Sequence, residues 1–189
     1  MGYQQYGNAI KHTDNGEALL DHKSIKAVKQ SLSFFKVIYS KNINAIIKSL
    51  LPLIEADAIL ENKYIKVELT EIPNFILNNQ EIRQLILNLV RNSLDSMSPG
   101  GYLTIKTYIE DDEIILAIKD QGTGLVPEVL NKIGIPFFTT KEQGRGLGLA
   151  LCFNIAASHN AVITVETSDK GTTFFTRFAN GDSRMVHAY

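Results

Sequence analysis

Two glycine-rich turns constrain this chain more than any other feature. The first, Asp120-Gln-Gly-Thr-Gly-Leu125, follows a segment whose apolar residues alternate, which is typical of a β-strand. The second, Gly144-Arg-Gly-Leu-Gly-Leu149, opens an apolar segment that is long enough for a helix. A strand that ends in one such turn and a helix that starts at another can place a carboxylate and backbone amides around one small ligand.

The periodicity of the remaining chain predicts a mixed sheet covered by helices. We expect helices at 44–57, 80–97, 127–132 and 147–159, and strands at 64–70, 75–77, 102–109, 113–120, 161–167 and 172–178. Asn79 is the predicted N-cap of the second helix, and Asn160 is the predicted left-handed end of the last. Two hairpins do not suit a doubly wound parallel sheet. The predicted fold class is therefore an α/β (α+β) two-layer sandwich, with about five strands in the sheet and helices on one face.

Composition narrows the classes of function. The chain has 189 residues, and its 19 basic and 20 acidic side chains leave a net charge of -1. No basic field exists to bind nucleic acid or an anionic membrane surface. The apolar run at 46–54 is interrupted by Lys48 and is too short to span a bilayer. We expect a cytoplasmic protein or the cytoplasmic part of a larger sensor, with the single Cys152 as a core residue.

The N-terminal residues 1–41 are predicted to be a separate, partly helical segment. From Lys23 onwards, Ile25, Val28, Leu32, Phe35 and Tyr39 follow helical spacing and would form one apolar stripe. That stripe could pack on its own domain or form the seam of a homodimer. We expect the domain proper at 42–180 and a flexible tail at 181–189.

The first glycine turn could recognise adenine. A carboxylate at Asp120, at the end of a strand, can accept a hydrogen bond from the exocyclic amine of adenine, whereas it would repel the carbonyl of guanine. Gly122 and Gly124 would allow close approach of the backbone. The alternative is an ordinary turn after a strand, to which Asp, Gln and Gly are also suited.

The second glycine turn could bind phosphate, because the first amides of a helix point outward and carry partial positive charge. Lys141 and Arg145 flank it and could neutralise phosphate charge, or they could be solvated loop residues. It is not a P-loop, since Leu149 follows Gly148 in place of Lys-Ser/Thr.

Asn88 and Asn92 stand four residues apart on one face of the predicted second helix. Their amide oxygens could hold Mg²⁺, which also takes oxygens from water and nucleotide phosphates. Arg91 and Asp95 lie nearby on the same helix. An asparagine pair on an exposed helix face is otherwise plain polar surface.

Five segments in this order resemble the catalytic ATP-binding domain of sensor histidine kinases, within the Bergerat (GHKL) superfamily. They look like its asparagine, first glycine, phenylalanine, second glycine and last glycine boxes, and they are residues 84–95, 120–125, 136–141, 144–149 and 171–174. The resemblance covers about 42–179. The sequence Phe137-Phe-Thr-Thr-Lys141 is similar to the corresponding segment of sporulation- and nitrogen-type kinases.

This resemblance implies ATP and Mg²⁺ as ligands and a role for each matching residue. Asn92 would be the main Mg²⁺ ligand and Asn88 a helper, Asp120 would read adenine, Thr173 would lie near the adenine, and Lys141 would approach the phosphates. A lid at 126–145 would close on the nucleotide. The further ATP contacts that it implies are Arg91, Asp95, Gly122, Gly124, Leu125, Phe138, Thr140, Gly144, Arg145, Gly146, Leu147 and Gly148.

The resemblance further implies transfer of the γ-phosphate to a histidine on a dimerisation hairpin, upstream or in trans, and from there to a response regulator. Hydrolases of the superfamily carry Glu where this chain has Asn88, so hydrolysis should be slow here. The chain departs from the family most at the acceptor, because none of His12, His22, His159 and His187 stands in the expected motif. An anti-sigma-factor-like serine kinase and a non-catalytic ATP-dependent binding module remain alternatives.

Overall fold

The computed structural model describes the backbone of residues 10–12, 18–20, 40–140 and 145–179, and the side chains of 41–140 and 145–179. The chain divides into two units, Met1–Ser40 and Lys41–Tyr189. In the first unit, β1 (Ile10–His12) pairs antiparallel with β2 (Ala18–Leu20). The sequence does not predict this pair, because the polar residues around it show no clear period. The predicted helix from Lys23, with its apolar stripe, and the tail at 181–189 lie outside the described residues.

The short strand β3 (Ser40–Lys41) is not predicted by the sequence, and after it helices and strands follow the predicted order. They are α1 (Ile43–Leu60), β4 (Tyr64–Leu69), β5 (Phe75–Ile76), α2 (Asn79–Ser96), β6 (Tyr102–Glu110), β7 (Glu113–Lys119), α3 (Pro127–Leu130), α4 (Gly148–Ser158), β8 (Ala161–Ser168) and β9 (Gly171–Ala179). Five strands form one sheet in the order β4-β6-β7-β9-β8. Strand β4 runs parallel to β6, and the other neighbours are antiparallel. The predicted mixed two-layer sandwich is confirmed.

The core lies between one face of this sheet and the helices. Alternate residues of the central strand β7, namely Ile114, Leu116 and Ile118, point into it and are fully buried. Helix α2 contributes its apolar stripe, including Leu85 and Leu89, and packs against both α1 and α4. Burial of this stripe leaves the polar face of α2 available for the site described below.

Element ends differ from the sequence prediction by a few residues, as fraying and capping lead one to expect. The N-cap of α2 is Asn78 and not Asn79, because the Asn78 side chain accepts hydrogen bonds from the backbone amides of Gln80 and Glu81. The predicted left-handed residue at the end of α4 is confirmed, since Asn160 has φ +52°. No helix within the described ranges has both the length and the apolar character needed to cross a bilayer.

Candidate nucleotide-binding site

A cavity of about 500 Å³ opens where α2, the first glycine turn, the segment after α3 and the start of α4 meet. Its volume lies in the range of small-molecule and cofactor sites. The sequence-predicted residues in its wall are Asn88, Arg91, Asn92, Asp95, Asp120, Gly124, Leu125, Phe138, Thr140, Arg145, Gly146, Leu147 and Gly148. The fold therefore gathers residues from four separate sequence segments around one space.

The Asp120 carboxylate is a buried acidic group in this wall. Asp120 directly follows β7, is only 1% exposed, and its Oδ1 accepts hydrogen bonds from the backbone amides of Gly122 at 2.9 Å and Thr172 at 3.0 Å. These two bonds fasten the glycine turn to the start of β9. No described residue donates a hydrogen bond to Oδ2. Oδ2 therefore remains as an acceptor in the cavity wall, where it suits a ligand that carries an amine.

The first glycine turn packs too tightly for side chains at two positions. Gly124 has φ +73°, and a Cβ atom there would lie 1.9 Å from the carbonyl oxygen of Ser168. Leu125 donates its backbone N–H to Thr167 Oγ1 at 2.8 Å, which also holds the turn against the β8–β9 hairpin. Gly122 lies behind the cavity wall, where a Cβ atom would come within 2.4 Å of Ser96 Oγ on α2.

Helix α2 supplies the polar end of the cavity. The Asn88 side-chain amide donates to the carbonyl oxygen of Gly148 at 3.5 Å, so that its own oxygen is left as an acceptor. Asn92 lies beside the same glycine, where an added Cβ atom would be 3.8 Å from Asn92 Nδ2. The oxygens of Asn88, Asn92 and Asp95 are the hard donors that Mg²⁺ prefers. Among the described residues, no group of three His, Cys, Asp or Glu side chains could hold a metal ion alone.

The start of α4 faces the same end of the cavity. Gly146 has φ +65°, and a Cβ atom there would lie 2.5 Å from the backbone carbon of Phe137, whose N–H donates to Gly146 O at 2.9 Å. The N-cap residue, Leu147, makes no side-chain capping bond with the described part of the chain. The first amides of α4 therefore suit an anion, and Arg145 lies next to them in the wall. Lys141 and Gly144 lie outside the described residues.

The apolar part of the wall was largely missed by sequence reasoning. It comes from α3 and the residues after it, from α4 and from the sheet, and it includes Val129, Ile133, Ile135, Leu149 and Phe174. Thr172 and Phe174 line the cavity, whereas the predicted Thr173 does not, because alternate residues of a strand face opposite sides. That alternation could have identified Thr172, but Val129 and Ile133 belong to no motif.

Cys152 lies beneath the site as a core residue, as predicted. Its thiol is buried against the backbone carbonyl of Leu85, at 3.7 Å, and contacts the Asn88 amide. Burial raises the pKa of the Cys152 thiol to about 12. The thiol therefore stays protonated at neutral pH and is no nucleophile there.

Known proteins share both the sequence pattern and the fold of this unit. The pattern of the family "Histidine kinase-, DNA gyrase B-, and HSP90-like ATPase" matches residues 78–181. Sporulation kinase C of Bacillus subtilis (strain 168) is 31% identical over 161 residues, which are 84% of this chain and 37% of that protein. Sporulation kinase E of the same strain is 33% identical over 91% of this chain and 23% of its own length. This chain thus spans well under half the length of either relative.

A solved structure agrees with these sequence matches. The nucleotide-free catalytic domain of histidine kinase ThkA superimposes with a TM-score of 0.68, at 26% identity, over 75% of this chain and 94% of that domain. The predicted resemblance is thereby confirmed. The chain belongs to the family of histidine kinase-, DNA gyrase B- and HSP90-like ATPases.

Proposed function

We propose that this chain is the catalytic ATP-binding domain of a two-component sensor histidine kinase. In this role it binds Mg²⁺-ATP and transfers the γ-phosphate to a histidine on a dimerisation hairpin, located upstream or on another chain. One observation carries the proposal: the buried Asp120 carboxylate, the Asn88/Asn92 pair and the start of α4 open into one cavity. Its relatives support the kinase assignment, since several are named sporulation kinases or sensor histidine kinases.

The cavity suggests a direction for the bound nucleotide. Adenine would lie at the apolar end, with its exocyclic amine donating to Asp120, while a guanine carbonyl would face the carboxylate and be repelled. The triphosphate would extend towards the amides of α4 and the guanidinium groups of Arg91 and Arg145. Magnesium, held through the oxygens of Asn92 and Asn88, would neutralise phosphate charge.

The chemistry that the protein must assist is phosphoryl transfer. The bond between the γ-phosphorus and its bridging oxygen breaks, a phosphorus–nitrogen bond forms at the acceptor imidazole, the imidazole releases a proton, and ADP leaves. Positioning and charge neutralisation supply most of the catalysis in such reactions. Asn88 can orient groups but cannot take a proton from water, so the chain should retain ATP for a protein acceptor.

The acceptor is expected on another segment or chain. Within the described residues, His159 is held in a buried contact between two helices and is not available to accept phosphate. A response regulator downstream and a homodimer formed through the stripe at 25–39 complete the proposal, and we place the domain in the cytoplasm.

Calorimetry on the purified chain tests the first step. We expect it to bind ATP in the presence of Mg²⁺, more weakly with EDTA, and to prefer ATP over GTP. Absence of ATP binding would refute the proposal.

Phosphotransfer tests the second step. Incubation with labelled ATP and a histidine-containing hairpin should give an acid-labile phosphoprotein. An acid-stable product would instead indicate the serine kinase alternative, and binding without transfer to any hairpin supplied would indicate a binding module.

A further inference from the structure

Polar contacts join the first half of helix α2 to the whole of helix α4. The two helices run antiparallel in this region. The end of α4 contacts the start of α2, and the start of α4 contacts the middle of α2. The contacts are Asn78 N to His159 Nε2 (2.9 Å), Ser158 Oγ to Glu81 Oε2 (3.2 Å), Cys152 Sγ to Leu85 O (3.7 Å) and Asn88 Nδ2 to Gly148 O (3.5 Å). The last contact lies in the cavity wall, and the first lies at the opposite end of the helix pair.

His159 makes the end contact with both ring nitrogens. Its Nδ1 lies 2.8 Å from the carbonyl oxygen of Ile155, which can only accept, so this nitrogen carries the proton. Its Nε2 accepts the backbone N–H of Asn78, the N-cap of α2. The imidazole side chain is only 7% exposed, and the charged group facing it is Glu81, whose Oε2 is 3.6 Å from Nδ1. The ring thus connects the C-terminus of one helix to the N-terminus of the other.

The axial register of α4 against α2 determines the geometry of the phosphate end of the cavity. Asn88 and Asn92 belong to α2, whereas the amides expected to hold phosphate belong to the first turn of α4. A slip of α4 by one residue along its axis moves that turn by about 1.5 Å relative to the asparagines. A shift of this size is enough to break a hydrogen bond between a backbone amide and a phosphate oxygen, because the two atoms must lie about 2.7–3.2 Å apart.

We propose that His159 is a positioning residue, which fixes the axial register of α4 against α2 and thereby the distance between the asparagine pair and the phosphate-binding turn. The inference rests on the proposed function and adds a distant residue to that same site. The carboxylate at the adenine end does not depend on this register, because Asp120 accepts hydrogen bonds from Gly122 and Thr172, which belong to the turn and the sheet. Loss of the contact should therefore weaken binding of the triphosphate and spare binding of adenosine.

Two substitutions in the full chain separate this role from a purely structural one. His159→Asn keeps an amide donor near Ile155 O but has no acceptor that reaches Asn78 N. His159→Gln can place an oxygen where Nε2 lies and so retains the contact between the helices. Asn42→Ala is the matched control, because it removes an N-cap from α1, which has no part in the α2–α4 contacts.

Affinities for adenosine and for Mg²⁺-ATP are measured by calorimetry, at a temperature where circular dichroism shows each variant folded. We expect His159→Asn to lose about tenfold or more in ATP affinity, the effect of losing one hydrogen bond to a charged phosphate, while adenosine affinity stays within about twofold of wild type. His159→Gln should restore ATP affinity, and Asn42→Ala should lower the melting temperature without changing the ratio of the two affinities.

Two results would overturn the inference alone: an unchanged affinity ratio in His159→Asn, or an equal change of the ratio in Asn42→Ala. A wild-type chain that binds neither ligand would overturn the proposed function as well, so the two failures are distinguishable.

Discussion

Asp120→Asn separates recognition of adenine from stability of the fold. Oδ1 of Asp120 accepts the amides of Gly122 and Thr172, and an asparagine oxygen can accept both at the same position. The second carboxylate oxygen becomes an NH₂ group, which is a donor only. This NH₂ group would face the exocyclic amine of adenine, and because both groups are donors no hydrogen bond can form between them.

The expected magnitude follows from the bond that is lost. A hydrogen bond to a charged group contributes about 1.5–3 kcal/mol. Since about 1.4 kcal/mol corresponds to tenfold in affinity, Asp120→Asn should weaken ATP binding roughly 10- to 100-fold. Asp120→Ala serves as the contrast, because it also leaves two buried amides without an acceptor, at a cost of about 1–3 kcal/mol for each.

Calorimetric titration with Mg²⁺-ATP and urea unfolding measure the two effects independently. Asp120→Asn should unfold close to wild type and bind ATP weakly, whereas Asp120→Ala should fail in both assays. Wild-type ATP affinity in a folded Asp120→Asn variant would refute the assignment of the adenine to this carboxylate.

Three further predictions concern strain, packing and pH. Gly124→Ala should abolish ATP binding and lower the melting temperature, because the added Cβ atom would lie 1.9 Å from Ser168 O. Gly100→Ala is the control: Gly100 has φ +90° and nothing lies within 4 Å of an added Cβ atom, so the substitution should cost only about 1 kcal/mol of backbone strain and leave ATP binding intact. Thr176→Val should raise the free energy of unfolding in urea by about 1 kcal/mol, since the buried Thr176 hydroxyl has no hydrogen-bond partner among the described residues; a loss of stability would contradict this. The pKa of the Cys152 thiol is raised from 9.0 to about 12, so between these pH values only the unfolded thiol ionises. The free energy of unfolding should therefore be unaffected by this group below pH 9 and should fall by about 4 kcal/mol as the pH rises to 12. The Cys152→Ala variant should not show this fall in stability over the same pH range. Rapid thiol labelling of the native protein at pH 8 would contradict the raised pKa.

Local periodicity predicted the layers of the fold well, for a physical reason. Strand β6 buries Leu103 and Ile105 on one face and alternates them with polar residues, and this alternation is visible in the sequence. The N-cap of α2 was placed one residue late, because two successive asparagines offer the same side chain and only the hydrogen bonds of Asn78 distinguish them. The β1–β2 pair had no detectable period at all.

The parts of the site that require one particular residue type could be predicted from the sequence. Glycines forced by close backbone contact, such as Gly124, and the carboxylate of Asp120 stand out in the sequence. The apolar wall of the cavity does not, because Val129 and Ile133 act through shape and could be any aliphatic residues. The contact of His159 with Asn78 joins residues 81 positions apart and could be found only in three dimensions.

The central claim is that one cavity holds Mg²⁺-ATP between the Asp120 carboxylate and the asparagines of α2. The most direct test is a crystal structure of the chain with Mg²⁺ and a nonhydrolysable ATP analogue. We predict the exocyclic amine of adenine within hydrogen-bonding distance of Asp120 and the metal ion on the amide oxygen of Asn92. A purine bound away from Asp120, or a metal ion without contact to α2, would contradict the account.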